Sequence, residues 1–332
     1  MKRFVFIAFV ALLCSCNSGE HKQAGETACD SLELVFTGDL LLDRGVRSVI
    51  ERHGIEWLLD SVSPLFHKAD AAIVNLECPL TDVTTPQPKQ FVFRADTRWA
   101  DDLHKAGITH ASMANNHSMD QGIQGLRSTF ESLTRAGIVP MGCGTTPEER
   151  IAPVVVRKGD LAVAIFSSVL FPIESWFPNP KGQYSPCQAG VEELSASIRE
   201  YKAGHPAHRV VAYLHWGVEY QEMPTPSQRR QAASLVYAGA DAVIGHHPHV
   251  VEPMGRIDGK PVFYSLGHLV FDGTRPQTRR GQIARLVVKT DTIMAEPIDI
   301  KIEKCKPMDL PPTPFPRRAE HCSSLISGQR DI

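Results

Sequence analysis

DAVIGHHPHVVEP, residues 241–253, passes from a short apolar, β-branched run directly into three histidines within four positions. A run of this length reads as a buried strand, and imidazoles at its carboxyl end lie where open α/β sheets gather their ligands. If the extended backbone continues through the histidines, alternate side chains share a face. His247 and His249 are then expected to point together, with Pro248 turned away and His246 left for a structural or supporting role.

The same ending recurs along the chain. LELVF (32–36) leads into Thr37, Gly38 and Asp39; AAIVNLE (71–77) carries Asn75 and Glu77; ITHASMANNH (108–117) ends in Asn115, Asn116 and His117; RVVAYLHWG (209–217) delivers His215. Helical spacing is found between them, over 46–59, 123–136 with Gly137 as C-cap, 191–202, and 226–238 followed by Gly239. Alternating strands and helices predict an α/β fold. PVVVRKGDLAVAIFSSV (153–169) and VEPMGRIDGKPVFYSLG (251–267) read instead as hairpins turning at Lys158-Gly159-Asp160 and Asp258-Gly259, so parallel and antiparallel pairing are both expected.

The chain has 332 residues and a formal charge of -2 at pH 7, which argues against a nucleic-acid binder or a polybasic membrane surface. Its first residues, MKRFVFIAFVALLCSC, place Lys2 and Arg3 before an apolar run, Phe4 to Leu13, too short to span a bilayer. That is the anatomy of a secretory leader, and Leu13-Cys14-Ser15-Cys16 resembles a bacterial lipobox with Cys16 as the lipidated residue. The expected product is extracytoplasmic and lipid-anchored to a bacterial membrane. Residues 1–30 then form leader and polar tether, 31–302 the folded domain, and 303–332 a Pro-rich tail. Cys29, Cys78, Cys143, Cys187, Cys305 and Cys322 show neither a C-x-x-C pair nor regular spacing, so their pairing stays open. The Pro- and aromatic-rich segment 171–188 reads equally as a lid or as an ordered surface loop.

Asp39, Glu77, Asn116, His215, His247 and His249 all follow strand-like runs. Mixed carboxylate, amide and imidazole donors suit divalent Mn, Fe or Zn, and two such ions need a bridging carboxylate, for which Glu77 is the candidate. The order Gly38-Asp39, Asn75-Leu76-Glu77, Asn115-Asn116-His117 with Asp120, His215-Trp216-Gly217 and Gly245-His246-His247-Pro248-His249, with YSLGHLVFD at 264–272, resembles the capsule-synthesis CapA family. That family lies within the calcineurin-like metallophosphoesterases, and the likeness spans about residues 31–275. It implies a four-layer α-β-β-α sandwich with mixed sheets. By position, Asp39 and His249 would hold one metal, Glu77 would bridge, and Asn116, His215 and His247 would hold the other. His117 would protonate a leaving oxygen or stabilise the transition state, with Asp120 orienting it.

Two positions depart from that pattern. The superfamily's Asp-x-His is here Asp39-Leu40-Leu41, and Leu41 cannot bind metal; Asp43 either compensates or is a solvated turn residue. His268 stands where the family signature carries Asn, as an added ligand, a hydrogen-bonding group or a simple loop substitution. Arg44 and Arg94 are candidate cations for an anionic substrate, or ordinary ion-pair partners. Trp216 and Tyr220 read as substrate wall or core, and Cys78 as structural. Three functions stay open: a phosphoester hydrolase acting on an envelope or capsule polymer, a non-catalytic accessory protein for an anionic polymer such as poly-γ-glutamate, associated with its synthesis machinery, and an amide hydrolase of such a polymer.

Overall fold

The computed structural model describes residues 31–170 and 182–308. The leader, the tether, Cys16 and Cys29, most of the 171–188 segment, and the chain after Met308 lie outside the described residues.

Two sheets face each other. The first runs Lys306–Met308, Ile293–Glu303, Arg280–Val288, Leu32–Leu40, Ala71–Leu76, His110–Ser112 and Val139–Met141, with His268–Val270 also paired to Leu32–Leu40. The second runs Gly255–Ile257, Lys260–Phe263, Ala242–His246, Arg209–His215, Leu161–Val169 and Val154–Lys158. In the second sheet pairing is parallel at the centre and antiparallel at both edges; in the first it is parallel from Leu32–Leu40 out to the Val139–Met141 edge and antiparallel on the other side. Both expected hairpins are present, and Asp258 and Gly259 take the left-handed backbone (φ 47° and 73°) that a tight two-residue turn between strands requires.

Strand alternation separates the layers. Leu34, Phe36, Ile73, Ile165, Tyr213 and Ile244 meet between the sheets. Val35, Ala72 and Val74 point the other way, into the helices Gly45–Leu59, Trp99–Lys105 and Gly122–Arg135. On the far side Ala164, Phe166, Val210 and Ala212 pack against Val191–Gly204 and Pro226–Ala238. This is the expected α-β-β-α sandwich, and each large apolar side chain so enclosed contributes about 1.5–3 kcal/mol. The helix Pro226–Ala238 has the predicted bounds because its ends are specified chemically: Thr225 and Gln228 form a capping box, and Gly239 closes it at φ 117°.

Two expectations need adjustment. The run 108–117 forms only the strand His110–Ser112, because Asn115 Oδ1 accepts from the His117 amide (3.1 Å) and the Ser118 hydroxyl (3.0 Å) and turns the chain. The sheet also continues past residue 302: Ile298, Ile300 and Ile302 alternate inward, and Lys306–Met308 folds back beside them. Lys306 Nζ is anchored on Asp60 at 2.7 Å and lies over the Trp57 ring. Among the described residues, no helix is long and apolar enough to cross a membrane, and Cys78, Cys143, Cys187 and Cys305 are free thiols.

Candidate metal centre

The layer parity positions the polar cluster. Ala71 and Ile73 face the opposing sheet, and Asn75 and Glu77 continue the same alternation; Val211 and Tyr213 do the same for His215. Asp39 is placed differently. Leu34 and Phe36 face the inter-sheet core, yet Leu40, at an even spacing from them, belongs to the helix-side core. An irregularity in register between Phe36 and Asp39 reverses the parity, which is what a bulge does near a functional site. Asp39 thereby turns toward Asn75 and His268, its register partners on the two flanking parallel strands.

The side chains converge. Asn75 Nδ2 donates to Asp39 Oδ1 at 2.8 Å and lies 3.2 Å from His215 Nδ1, while His215 Nε2 is 3.0 Å from Asn116 Oδ1. His249 Nδ1 is 3.1 Å from Asp39 Oδ2. Glu77 Oε1 sits 3.7 Å from both His215 Nε2 and His249 Nε2. Candidate ligand atoms of Asp39, His249 and His268 lie within 4.8 Å of one another, as do those of Glu77, His247 and His249. The structure thus brings together all six residues singled out as ligands.

The extended H-x-H geometry expected for the histidine run does not occur. The strand ends at His246, and His247 and His249 have φ of 99° and 58°, so a left-handed loop, not strand alternation, aims both rings at the cluster. His246 stays in the inter-sheet space, with ring nitrogens 3.2 Å from the Leu214 carbonyl and 2.9 Å from that of Thr37.

Electrostatics suit a cation. Glu77 is completely buried, and neither oxygen accepts a hydrogen bond among the described residues. Burial, then the neighbouring Asp39 charge, pushes its carboxyl well above the usual range. Burial alone would raise Asp39 too, but its hydrogen bond and charge interaction with His249 hold it well below that range. His249, which burial would lower, is held up to about 9 by Glu77 and Asp39. Burial, then the charge of His249, lowers His247 and His268 to about 3; burial, then His247, holds His215 well below the usual imidazole range. Two carboxylates, one of them without hydrogen bonds, set among imidazoles whose protonation burial disfavours at His215, His247 and His268, are the donor set of a borderline-hard divalent ion, so these residues fit one.

Next to the cluster, Asp120 Oδ2 receives His117 Nδ1 at 2.8 Å and the Phe93 amide at 2.6 Å, and its other oxygen pairs with Lys89. The His117 ring stacks on Phe93, and burial lowers its pKa despite Asp120. A cleft of about 310 Å³ opens here, walled by Phe91, Phe93, Tyr220 and Phe271, with Arg44 and Arg275 as cations and His117, His249 and His268 at its base. Arg44 pairs with Asp272 between the rings of Phe93 and Phe271. Arg94 is not part of this lining; its Nη1 faces the Thr81 carbonyl at 3.5 Å. Asp43 is committed to Arg47 and the Arg94 amide, and Leu41 is buried in the helix-side core, so neither joins the cluster. Trp216 is core, donating to the Tyr264 carbonyl at 2.8 Å, whereas Tyr220 forms cleft wall. Burial raises the Cys78 thiol, consistent with an inert core position. Sequence reading missed the supporting roles of Asn75, Lys89, Phe93 and Arg275; for Asn75, its place two residues before Glu77 on one strand face was the available signal.

Residues 33–273 match the family described as "Bacterial capsule synthesis protein PGA_cap". The chain is 31% identical over 279 residues to the PGA biosynthesis protein CapA of Bacillus subtilis (strain 168), covering 82% of this chain and 72% of that one. It is 27% identical over 285 residues to the capsule biosynthesis protein CapA of Bacillus anthracis, covering 84% and 69%. Among solved structures, a hypothetical protein from Thermus thermophilus superposes with a TM-score of 0.51 at 16% identity over 81% of this chain and 99% of that one, a likeness of fold. With a family match that runs over residues 33–273 and takes in every residue of the buried cluster, the chain belongs to the bacterial capsule synthesis PGA_cap family.

Proposed function

We propose that this protein is a lipid-anchored, divalent-metal-dependent hydrolase of phosphoester type that acts on an anionic envelope or capsule polymer or its precursor. The observation that carries the reading is Glu77, a carboxylate without hydrogen bonds among the described residues, poised 3.7 Å from imidazoles of two different ligand groups. Asp39 and His249 would hold one divalent cation and Asn116, His215 and His247 a second, with Glu77 between them. Such a pair, when bound, supplies charge neutralisation for a phosphoryl oxygen and a nucleophile at neutral pH. The chain's own residues do the rest. Arg44 and Arg275 attract the anion at the cleft, and the aromatic walls exclude water from it. Burial keeps free His117 neutral, with its Nδ1 proton on Asp120. An arriving phosphoryl anion opposes that effect, favours the imidazolium and lets His117 protonate the leaving oxygen.

The names of the two Bacillus relatives, and the leader with Cys16, support an envelope setting outside the cytoplasm. The reading is tested with the full chain purified in detergent, assayed on bis-p-nitrophenyl phosphate with added Mn, Fe or Zn and compared with His117→Ala. Turnover that needs metal and His117 supports it. One observation favours a second reading: Leu41 is buried away from the cluster, leaving the first position a ligand short of the superfamily pattern. A metal-poor protein that binds an anionic polymer and hydrolyses neither phosphoesters nor γ-glutamyl amides would be an accessory factor for polymer synthesis.

A further inference from the structure

We infer that His268 is a ligand of the first metal position and replaces the one that Leu41 cannot provide; the inference rests on the two-ion reading above. His268 sits opposite Asp39 on an adjacent parallel strand, and register partners on parallel strands project to the same face. Its Nδ1 lies 2.9 Å from the Thr278 carbonyl, which can only accept, so the proton is on Nδ1 and the Nε2 lone pair is left over. Nε2 is buried and has no hydrogen-bond partner among the described residues. Buried polar atoms are normally partnered, because leaving one unsatisfied costs free energy, so this lone pair calls for a group it can bind. Here it is accounted for by what it faces: candidate ligand atoms of His268, Asp39 and His249 lie within 4.8 Å of one another.

The surroundings fix the ring as a ligand needs to be fixed. Phe271 stacks on it at 4.0 Å with 6° between planes, and the Thr278 hydrogen bond selects its tautomer, the outer contact that metal-bound imidazoles generally make. Two glycines let its backbone come close enough. A Cβ on Gly281 would meet the His268 carbonyl oxygen at 1.8 Å, and one on Gly38 would meet the Gly267 carbonyl oxygen at 2.2 Å. The first position then offers Asp39, His249 and His268 with Glu77 shared, a two-imidazole, carboxylate set suited to Mn, Fe or Zn. The deficit at Leu41 is made good from a strand more than two hundred residues further along the chain.

The test is metal content and Mn(II) electron paramagnetic resonance of the full chain in detergent, loaded with Mn(II) and freed of excess. Wild type is compared with His268→Leu, which has no donor atom, and His268→Phe, which can keep the stack on Phe271. Expected are two ions per chain with an exchange-coupled spectrum for wild type, and one ion with an uncoupled six-line spectrum for both variants. Two coupled ions in either variant, with circular dichroism like wild type, overturn the assignment and leave the two-ion reading standing. Fewer than two ions in wild type overturn that reading, and this assignment with it.

Discussion

Asp120 and His117 form a fixed pair: the carboxylate takes His117 Nδ1 at 2.8 Å while the Phe93 amide and Lys89 hold the carboxylate itself. The ring therefore has one orientation before any substrate arrives. Because His117 is assigned chemistry and not coordination, His117→Ala is expected to reduce phosphodiester turnover by about 10²–10⁴-fold. Asp120→Asn should reduce it by about 10–100-fold. Both variants should keep their metal, which steady-state kinetics alongside elemental analysis will show.

Glu77 gives a prediction with opposite signs in two conditions. Without metal, two buried carboxylates repel, so Glu77→Gln is expected to melt at or above the wild-type temperature in chelator. With metal added, wild type gains stability that the variant does not, since a ligand that binds only the folded state stabilises it. Glu77→Ala should lose both ions together. Calorimetry with and without chelator, combined with metal analysis, checks both points.

The two arginines separate by position. Arg44 lines the cleft and Arg94 does not, so Arg44→Ala is expected to raise KM for an anionic substrate by about 10-fold, the scale of one charge-assisted hydrogen bond. Arg94→Ala should raise it little. Kinetics on the two variants decide it.

Glu252 sets a pH dependence outside the cluster. Burial, partly offset by the hydrogen bond from Gln228 at 2.8 Å, raises its pKa to about 7. A carboxyl whose folded pKa exceeds its unfolded value binds more protons when folded between the two. Stability therefore falls as pH rises from the unfolded value near 4.5 through about 7. Glu252→Gln should flatten that decline, so melting temperatures of the two proteins converge at pH 5 and part at pH 8, with the variant higher.

Gly245 is a packing test. A Cβ there would lie 2.0 Å from the Tyr264 carbonyl oxygen and 2.3 Å from Trp216 Nε1, across the hydrogen bond those two groups share. Gly245→Ala should cost about 1–3 kcal/mol through overpacking, read from denaturant unfolding.

How much of this was legible in the sequence depends on the kind of information each residue uses. Glu77 and His215 were readable because ordinary alternation carries the inward face of their strands to the end. The pairing of His247 with His249 was foreseen, but for a geometric reason that does not apply, since alternation cannot anticipate two left-handed residues around Pro248. Asp39 was found as a motif, while the register shift that aims it is set by neighbouring strands and leaves no local mark. The use of Asp43 by Arg47 and the Arg94 amide, and the exclusion of Arg94 from the cleft, are tertiary facts of the same sort. Beyond the expected boundary at residue 302 the chain turns back as Lys306–Met308 and is held by pairing to Lys301–Glu303 and by Lys306 on Asp60, tertiary contacts that its Pro-rich composition does not announce.

The cluster draws on both sheets, with Asp39, Glu77 and His268 in or next to strands of the first and His215, His247 and His249 in or next to strands of the second. A cation seated there acts as a rivet through the seam between the layers. Stripping it would loosen the sandwich at one end and leave the opposite end gripped by its apolar side chains. Amide exchange should then speed up on the carboxyl-terminal halves of Leu32–Leu40 and Arg209–His215 before it does on their amino-terminal halves. The protein would open like a book whose spine lies away from the metal.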